Sequence, residues 1–122
     1  MADDLTPDEV RALFQYPSTQ ENPVEVLFRV LQKESHFASQ RWFPQTASDL
    51  GHHSLALCGE VGEVANVIKK LQRGSLEEDE ARNLLKGELA DVLIYLLNCA
   101  AILKVNLGQE YINKQKFNQK RF

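Results

Sequence analysis

Glycine and proline are scarce in this chain, with six and four among 122 residues, and that scarcity excludes a fold built on many tight turns. Leu, Ala, Glu, Lys and Gln fill the space instead, and these good helix formers make all-α the expected fold class. Cysteine is equally sparse. Cys58 and Cys99 each sit inside a strongly apolar segment and read as small core residues, not as a disulfide or zinc framework. Positive charge is not in excess, since the formal net charge is -3, so no nucleic-acid polymer is an expected partner. No apolar run is long enough to span a bilayer; the richest, 89–103, is interrupted by Asp91 and Asn98 and reads as a buried helix. Reduced thiols and the lack of a secretory leader make the cytoplasm the expected location.

What is present divides into helices. The length allows one domain with one modest core. Thr6-Pro7-Asp8-Glu9 has the grammar of a capping box with Pro at the first helical position, opening a short helix that ends before Pro17. Asn22-Pro23 repeats that start and opens a longer helix to about Gln40, with Val24, Leu27, Phe28 and Leu31 on one face. Trp42, Phe43 and Pro44 fall in a connection, where binding residues are common. Ser48 is the expected cap of a third helix running to about Arg73, with a packing seam of Leu50, Ser54, Leu57, Val61, Val64, Ile68 and Leu71. A fourth helix spans roughly 78–104 and is the most apolar. Asn106 caps a short fifth helix before a basic tail.

The fourth helix carries the most informative pattern. Glu88, Asp91, Tyr95 and Asn98 interrupt its apolar surface at steps of three, four and three, which places them on one stripe. Ionised carboxylates in such surroundings cost several kcal/mol unless paired or bound to a cation. The third helix offers a matching pair, Glu60 and Glu63, with His53 and Lys70 on the same side. Two antiparallel helices of this kind bring four carboxylates toward one site. The donors are all oxygen, which suits hard cations such as Mg²⁺, with Mn²⁺ as a substitute. A di-iron bundle would want Glu-x-x-His, which neither pair supplies. The competing expectation is that Lys69, Lys70 or Lys86 neutralises the acids as salt bridges. Gly59 and Gly62 flank Glu60, and each costs about 1 kcal/mol against alanine inside a helix. Close approach of another helix or of a ligand would account for them. Lys114, Asn118 and Arg121 lie in the basic tail; with a metal they form the usual equipment for holding a polyphosphate, and otherwise they are a solvated terminus.

Glu60-Val-Gly-Glu63, followed after 24 residues by Glu88-Leu-Ala-Asp91, resembles the paired acidic signature of the MazG-like all-α nucleotide pyrophosphohydrolases. The stretches 56–64 and 87–96 look especially like the dCTP pyrophosphatase branch, and Lys114, Asn118 and Arg121 stand at that branch's spacing with Phe122 behind them. The resemblance covers about residues 24 to 122. It implies a four-helix-bundle-type fold, with residues 1–21 as an N-terminal extension and 22–122 as the domain. It implies Mg²⁺-dependent hydrolysis of a nucleoside triphosphate to the monophosphate and pyrophosphate, in cleansing of the nucleotide pool. Glu60, Glu63, Glu88 and Asp91 would hold metal, with Glu60 also the base that orients or deprotonates water. Tyr95 would face sugar or base, and Asn98, Lys114, Asn118 and Arg121 would secure phosphates. Between Ser35 and His53 the chain departs from the branch's pattern. Trp42 is either a base stacker or core filler, and His53, on the stripe of Glu60, has a better case as a substrate contact than His36 or His52.

Two rival readings stand beside this one. The first is a catalytically silent helical interaction module with salt-bridged acids; the second is a phosphoribosyl-ATP pyrophosphohydrolase, against which Val61-Gly62 and the tail argue. Assembly as a dimer or a dimer of dimers is expected on physical grounds, because the fourth helix is apolar around more of its circumference than one small chain can cover.

Overall fold

The computed structural model describes residues 4–17 and 20–122. Five helices follow in order: α1 (Pro7–Phe14), α2 (Pro23–Trp42), α3 (Leu50–Gln72), α4 (Glu78–Leu103) and α5 (Leu107–Arg121), with no strand among the described residues. The helix starts obey local chemistry. Thr6 and Glu9 form the reciprocal capping box, with the Thr6 amide donating to Glu9 Oε2 at 2.7 Å and the Glu9 amide donating to Thr6 Oγ1 at 3.2 Å. Asn22 and Asn106 accept from the amides of Val24 and Gln109. The cap of α3 is Asp49 rather than Ser48: its carboxylate accepts from the His52 amide at 3.1 Å, and a charged acceptor is favoured at the positive end of a helix.

α3 and α4 form an antiparallel hairpin around a tight turn. Gly74 takes the left-handed conformation at φ 82, and the Ser75 amide closes the helix end by donating to the Lys70 carbonyl at 2.9 Å. α2 lies against α4, and α5 folds back along α2. The turn into α5 is held by the buried amide of Gln32. Its Nε2 donates to the Val105 carbonyl at 2.8 Å, and its Oε1 accepts from the Leu107 amide at 3.1 Å. At Gly108 the backbones of α5 and α2 come so close that a Cβ would sit 2.9 Å from Phe28 Cβ and 3.0 Å from Glu25 Cα. Phe28 and Phe14 both pack near the ring of Tyr111, which ties α1 to the α2–α5 pair.

Several expectations need correcting. α2 continues through Trp42, so that aromatic ends a helix instead of standing in a loop. The fifth helix is not short: the basic tail is helical to Arg121, because Gly108 and Ile112 bury against α2 and Lys120 and Arg121 suit a helix C-terminus. The covered stripe of α3 is rotated from the expected seam. His53, Leu57, Glu60, Val64, Val67 and Leu71 are buried or half-buried, whereas Ser54, Val61 and Ile68 are exposed. α2 turns Gln32, Ser35 and Ser39 inward and leaves Leu27 outside. α4 is not buried by this chain alone, since Leu84, Leu89, Leu93, Ile94 and Leu96 remain exposed. Cys58 is exposed and Cys99 half-buried. A Cβ at Gly59 or Gly62 would meet nothing within 4 Å, so no close approach inside the chain explains either glycine. None of the described helices is long and apolar enough to cross a membrane.

Candidate active site

The register of the α3–α4 hairpin decides which side chains meet. In an antiparallel pair of equal rise, residues equally far from the turn lie at the same height. Glu60 with Asp91, Glu63 with Glu88, and His53 with Asn98 all share one midpoint, between Ser75 and Leu76. Two levels of polar side chains result, separated along the helices by two turns, or about 10 Å.

At the first level Glu60, Glu88 and Asp91 each offer a carboxylate oxygen, and the three oxygens lie within 4.8 Å of one another. Glu60 and Glu88 are half-buried and Asp91 is exposed. Glu63 is exposed and stands outside this trio, although its charge is felt there. The Glu60 carboxyl is pushed up to about 7, chiefly by a proton shared with Glu88; partial loss of hydration and the negative charges of Glu88, Asp91 and Glu63 add to the shift. The ion pairs of the described residues join Arg11 to Asp8, Arg29 to Glu21, and Arg82 to Glu78 and Asp79. No lysine or arginine among them neutralises the trio, which removes the salt-bridge account of these acids. Close-set, all-oxygen, uncompensated acids fit a hard divalent cation.

Asp91 also borders a cavity of about 690 Å³ that continues to the second level. Trp42 and Phe43 stand at its edge, 65% and 63% exposed. Ser35 and Ser39 of α2 line one wall, and Ile94, Tyr95 and Asn98 of α4 another. His53 is buried, with its ring centroid 6.1 Å from that of Tyr95. Its Nε2 lies 3.2 Å from the Ala47 carbonyl, which can only accept, so the ring donates there and pins the 43–49 connection. The His53 Nδ1 and the Asn98 Oδ1 are buried and find no partner among the described residues. An unsatisfied buried polar atom costs about 1–3 kcal/mol, so two in one cavity call for an explanation.

Of the residues singled out from the sequence, Trp42, His53, Tyr95, Asn98 and Asp91 thus line one cavity, with Glu60 and Glu88 beside Asp91. Lys114, Asn118 and Arg121 do not border it. They lie on α5, where Lys114 stacks over Phe117 and Arg121 over Phe122. Ser35 and Ser39 were missed, and Phe43, noted only as one of a pair of loop aromatics, lines the cavity with Trp42. The signal for the two serines was present: 28, 32, 35, 39 and 42 recur at helical spacing as a second stripe of α2, polar and small where the cavity needs room.

Comparison with known proteins finds a family and several relatives. The model of the MazG nucleotide pyrophosphohydrolase domain matches residues 51–117. Human dCTP pyrophosphatase 1 (Homo sapiens) is 33% identical over 108 residues, covering 83% of this chain and 61% of that protein. The mouse protein of the same name (Mus musculus) is 34% identical over 110 residues, with the same coverage. The chain spans about three-fifths of the length of these relatives. No solved structure matches.

Proposed function

Because the chain belongs to the MazG nucleotide pyrophosphohydrolase family, we propose that it hydrolyses deoxynucleoside or nucleoside triphosphates to the monophosphate and pyrophosphate with the help of Mg²⁺, and that it serves to cleanse the nucleotide pool. The carrying observation is the trio of Glu60, Glu88 and Asp91, crowded within 4.8 Å and without a basic partner among the described residues, whose Asp91 borders a cavity with room for a nucleoside. Glu60, Glu88 and Asp91 would hold the cation, with Glu63 completing the set after a change of rotamer. A divalent ion there would neutralise phosphate oxygens and lower the pKa of a water. Glu60 is the base of this reading: it is half-buried and shares a proton with Glu88, and a bound cation would displace that proton and leave an ionised acceptor for water. Trp42 and Phe43 offer flat apolar faces to a base, and Tyr95 lies between base and phosphates.

The same reading includes the division of the chain at residue 22, with α1 in an extension whose residues 1–3, 18 and 19 lie outside the described ones. It also includes self-association as a dimer or tetramer. Lys114, Asn118 and Arg121 keep their part as phosphate ligands on the condition that α5 of another copy brings them to the cavity. The relatives' names specify dCTP; for this chain the substrate is proposed at the level of the triphosphate class.

Assay of a panel of nucleoside triphosphates with Mg²⁺ tests the proposal. Pyrophosphate is the expected first product, and Asp91→Asn should lower kcat/KM by about 10² or more through loss of a charged oxygen, with helicity unchanged by circular dichroism. Orthophosphate as the first product, or a wild-type rate in Asp91→Asn, would overturn it.

A further inference from the structure

The outer face of α2 is uncovered within the chain, and it is complementary to itself. Val30 and Phe37 stand there 56% and 57% exposed, with Glu34 between them and Arg41 one turn beyond, both exposed. We propose that two copies of the chain pair along this face, with α2 antiparallel to its partner, and that each copy thereby lends Arg41 to the edge of the other's cavity. The proposal deepens the self-association in the reading above; only its effect on a triphosphate rests on the hydrolytic part.

The charges fix the direction of the pairing. Glu34 and Arg41 are seven residues apart, so they share one stripe of the helix to within about 20° yet lie about 10 Å apart along it. They cannot reach one another, and neither belongs to an ion pair among the described residues. Both lie equally far from the point between Phe37 and Ala38. A two-fold axis through that point, perpendicular to the helix, sets each Glu34 against the partner's Arg41 and lays Phe37 beside the partner's Phe37. A parallel pair would instead bring Glu34 to Glu34 and Arg41 to Arg41, and like charges face to face disfavour it.

The cavity is what such a pairing completes. Glu34 and Asp91 both line it, and no lysine or arginine does. An anionic ligand entering there meets two carboxylates. A cation held at the trio would answer Asp91 and leave Glu34, on the α2 wall, opposed to the ligand. The partner's Arg41 cancels that charge. A guanidinium has five N–H donors, more than one carboxylate uses, so it can also turn some of them toward the ligand.

Charge exchange tests both parts. Sedimentation at about 50 μM suits an interface of one helix pair, which is small. Glu34→Arg and Arg41→Glu, each alone, should halve the mass of the assembly, because each leaves like charges facing one another across the axis. Together they should restore the wild-type mass, since the exchanged pair is again complementary. Both positions are exposed on a helix, so circular dichroism and melting should match the wild type in all three variants. If one of them melts low, Phe37→Ser takes its place and should also halve the mass. A wild-type monomer, a mass unchanged by the single exchanges, or one that the double exchange fails to recover would overturn the pairing. The part played at the cavity is read from the triphosphate that the wild type hydrolyses best. Arg41→Glu should raise KM by about threefold or more, and more at low salt than at high, with a smaller effect on kcat; the double exchange should recover KM. Equal KM in all four proteins, with masses that follow the exchange, would overturn the lending of Arg41. If no triphosphate is hydrolysed, the hydrolytic reading falls and the masses alone decide the pairing.

Discussion

A carboxyl group that shares a proton with its neighbour is a place where protons and divalent cations compete. Glu60 is such a group, held at about 7 by Glu88 and the surrounding charge. Its folded pKa lies above the ordinary value, so the native state binds the extra proton between about 4.5 and 7. This contribution to stability is fully present below that window and is lost as pH rises through 7. Without metal, the melting temperature should therefore fall on going from pH 6 to pH 8. With Mg²⁺ at saturation the trend should weaken or reverse, since a ligand of the native state adds stability and the cation no longer competes with the proton. Thermal melts at the two pH values, with Mg²⁺ or with a chelator, check this. A larger Mg²⁺ shift at pH 6 than at pH 8 would mean that the cation binds elsewhere. Glu60→Gln should abolish the pH dependence of the shift.

At the level of helices, two glycines predict opposite outcomes. Gly108 sits where α5 crosses α2 with no room for a methyl group; Gly108→Ala should destabilise by about 1–3 kcal/mol, as overpacking does. Gly59 has open space around it, so Gly59→Ala should stabilise the chain by up to about 1 kcal/mol through helix propensity. Denaturant unfolding of both variants measures the contrast. If Gly59→Ala gains stability and loses activity, the space over α3 is used by a ligand or a second copy. Much of this level was legible beforehand. Capping signals at Thr6, Asn22 and Asn106 act within four residues, and helix starts can be read from them. The acidic pairs were legible as well, because each is fixed by spacing on a single helix. The rotation of α3 was not, since its outward Val61 and Ile68 and its inward Glu60 invert the usual rule that apolar residues face a neighbour. The inward polar face of α2 escaped for the same reason: Ser35 and Ser39 serve an empty volume, and a hydrophobic pattern reports only volumes that are filled. Glu63 shows a further limit. Spacing put it near Glu60 on α3, but which carboxylates converge depends on side-chain rotamers that spacing does not specify, and Glu63 stays exposed outside the trio.

For the whole molecule, the unfinished feature is the outer surface of the hairpin. Leu55 is 75% exposed, and Leu89 and Leu93 are 53% and 42% exposed, and large apolar side chains left in water on packed helices are candidates for a partner surface. Sedimentation at micromolar concentration should therefore show a dimer or larger, and the paired change Leu89→Glu with Leu93→Glu should shift it toward monomer. A monodisperse wild-type monomer would remove self-association from the proposed function. It would also leave Lys114, Asn118 and Arg121 without a route to the cavity, because within one chain α5 is placed along α2 and away from the acids.

The inward face of α2, built from small polar residues, has one more effect. It lets the chain divide its labour: the α3–α4 hairpin carries the acidic trio, while α2 and the connection after it line the cavity that Asp91 borders. Exchanging Ser35, Ser39 or Phe43 for bulkier or smaller residues leaves every carboxylate where it stands. If the proposed hydrolysis holds, variants of these three positions form a natural library for changing which ligand the cavity admits, with the acidic trio inherited intact.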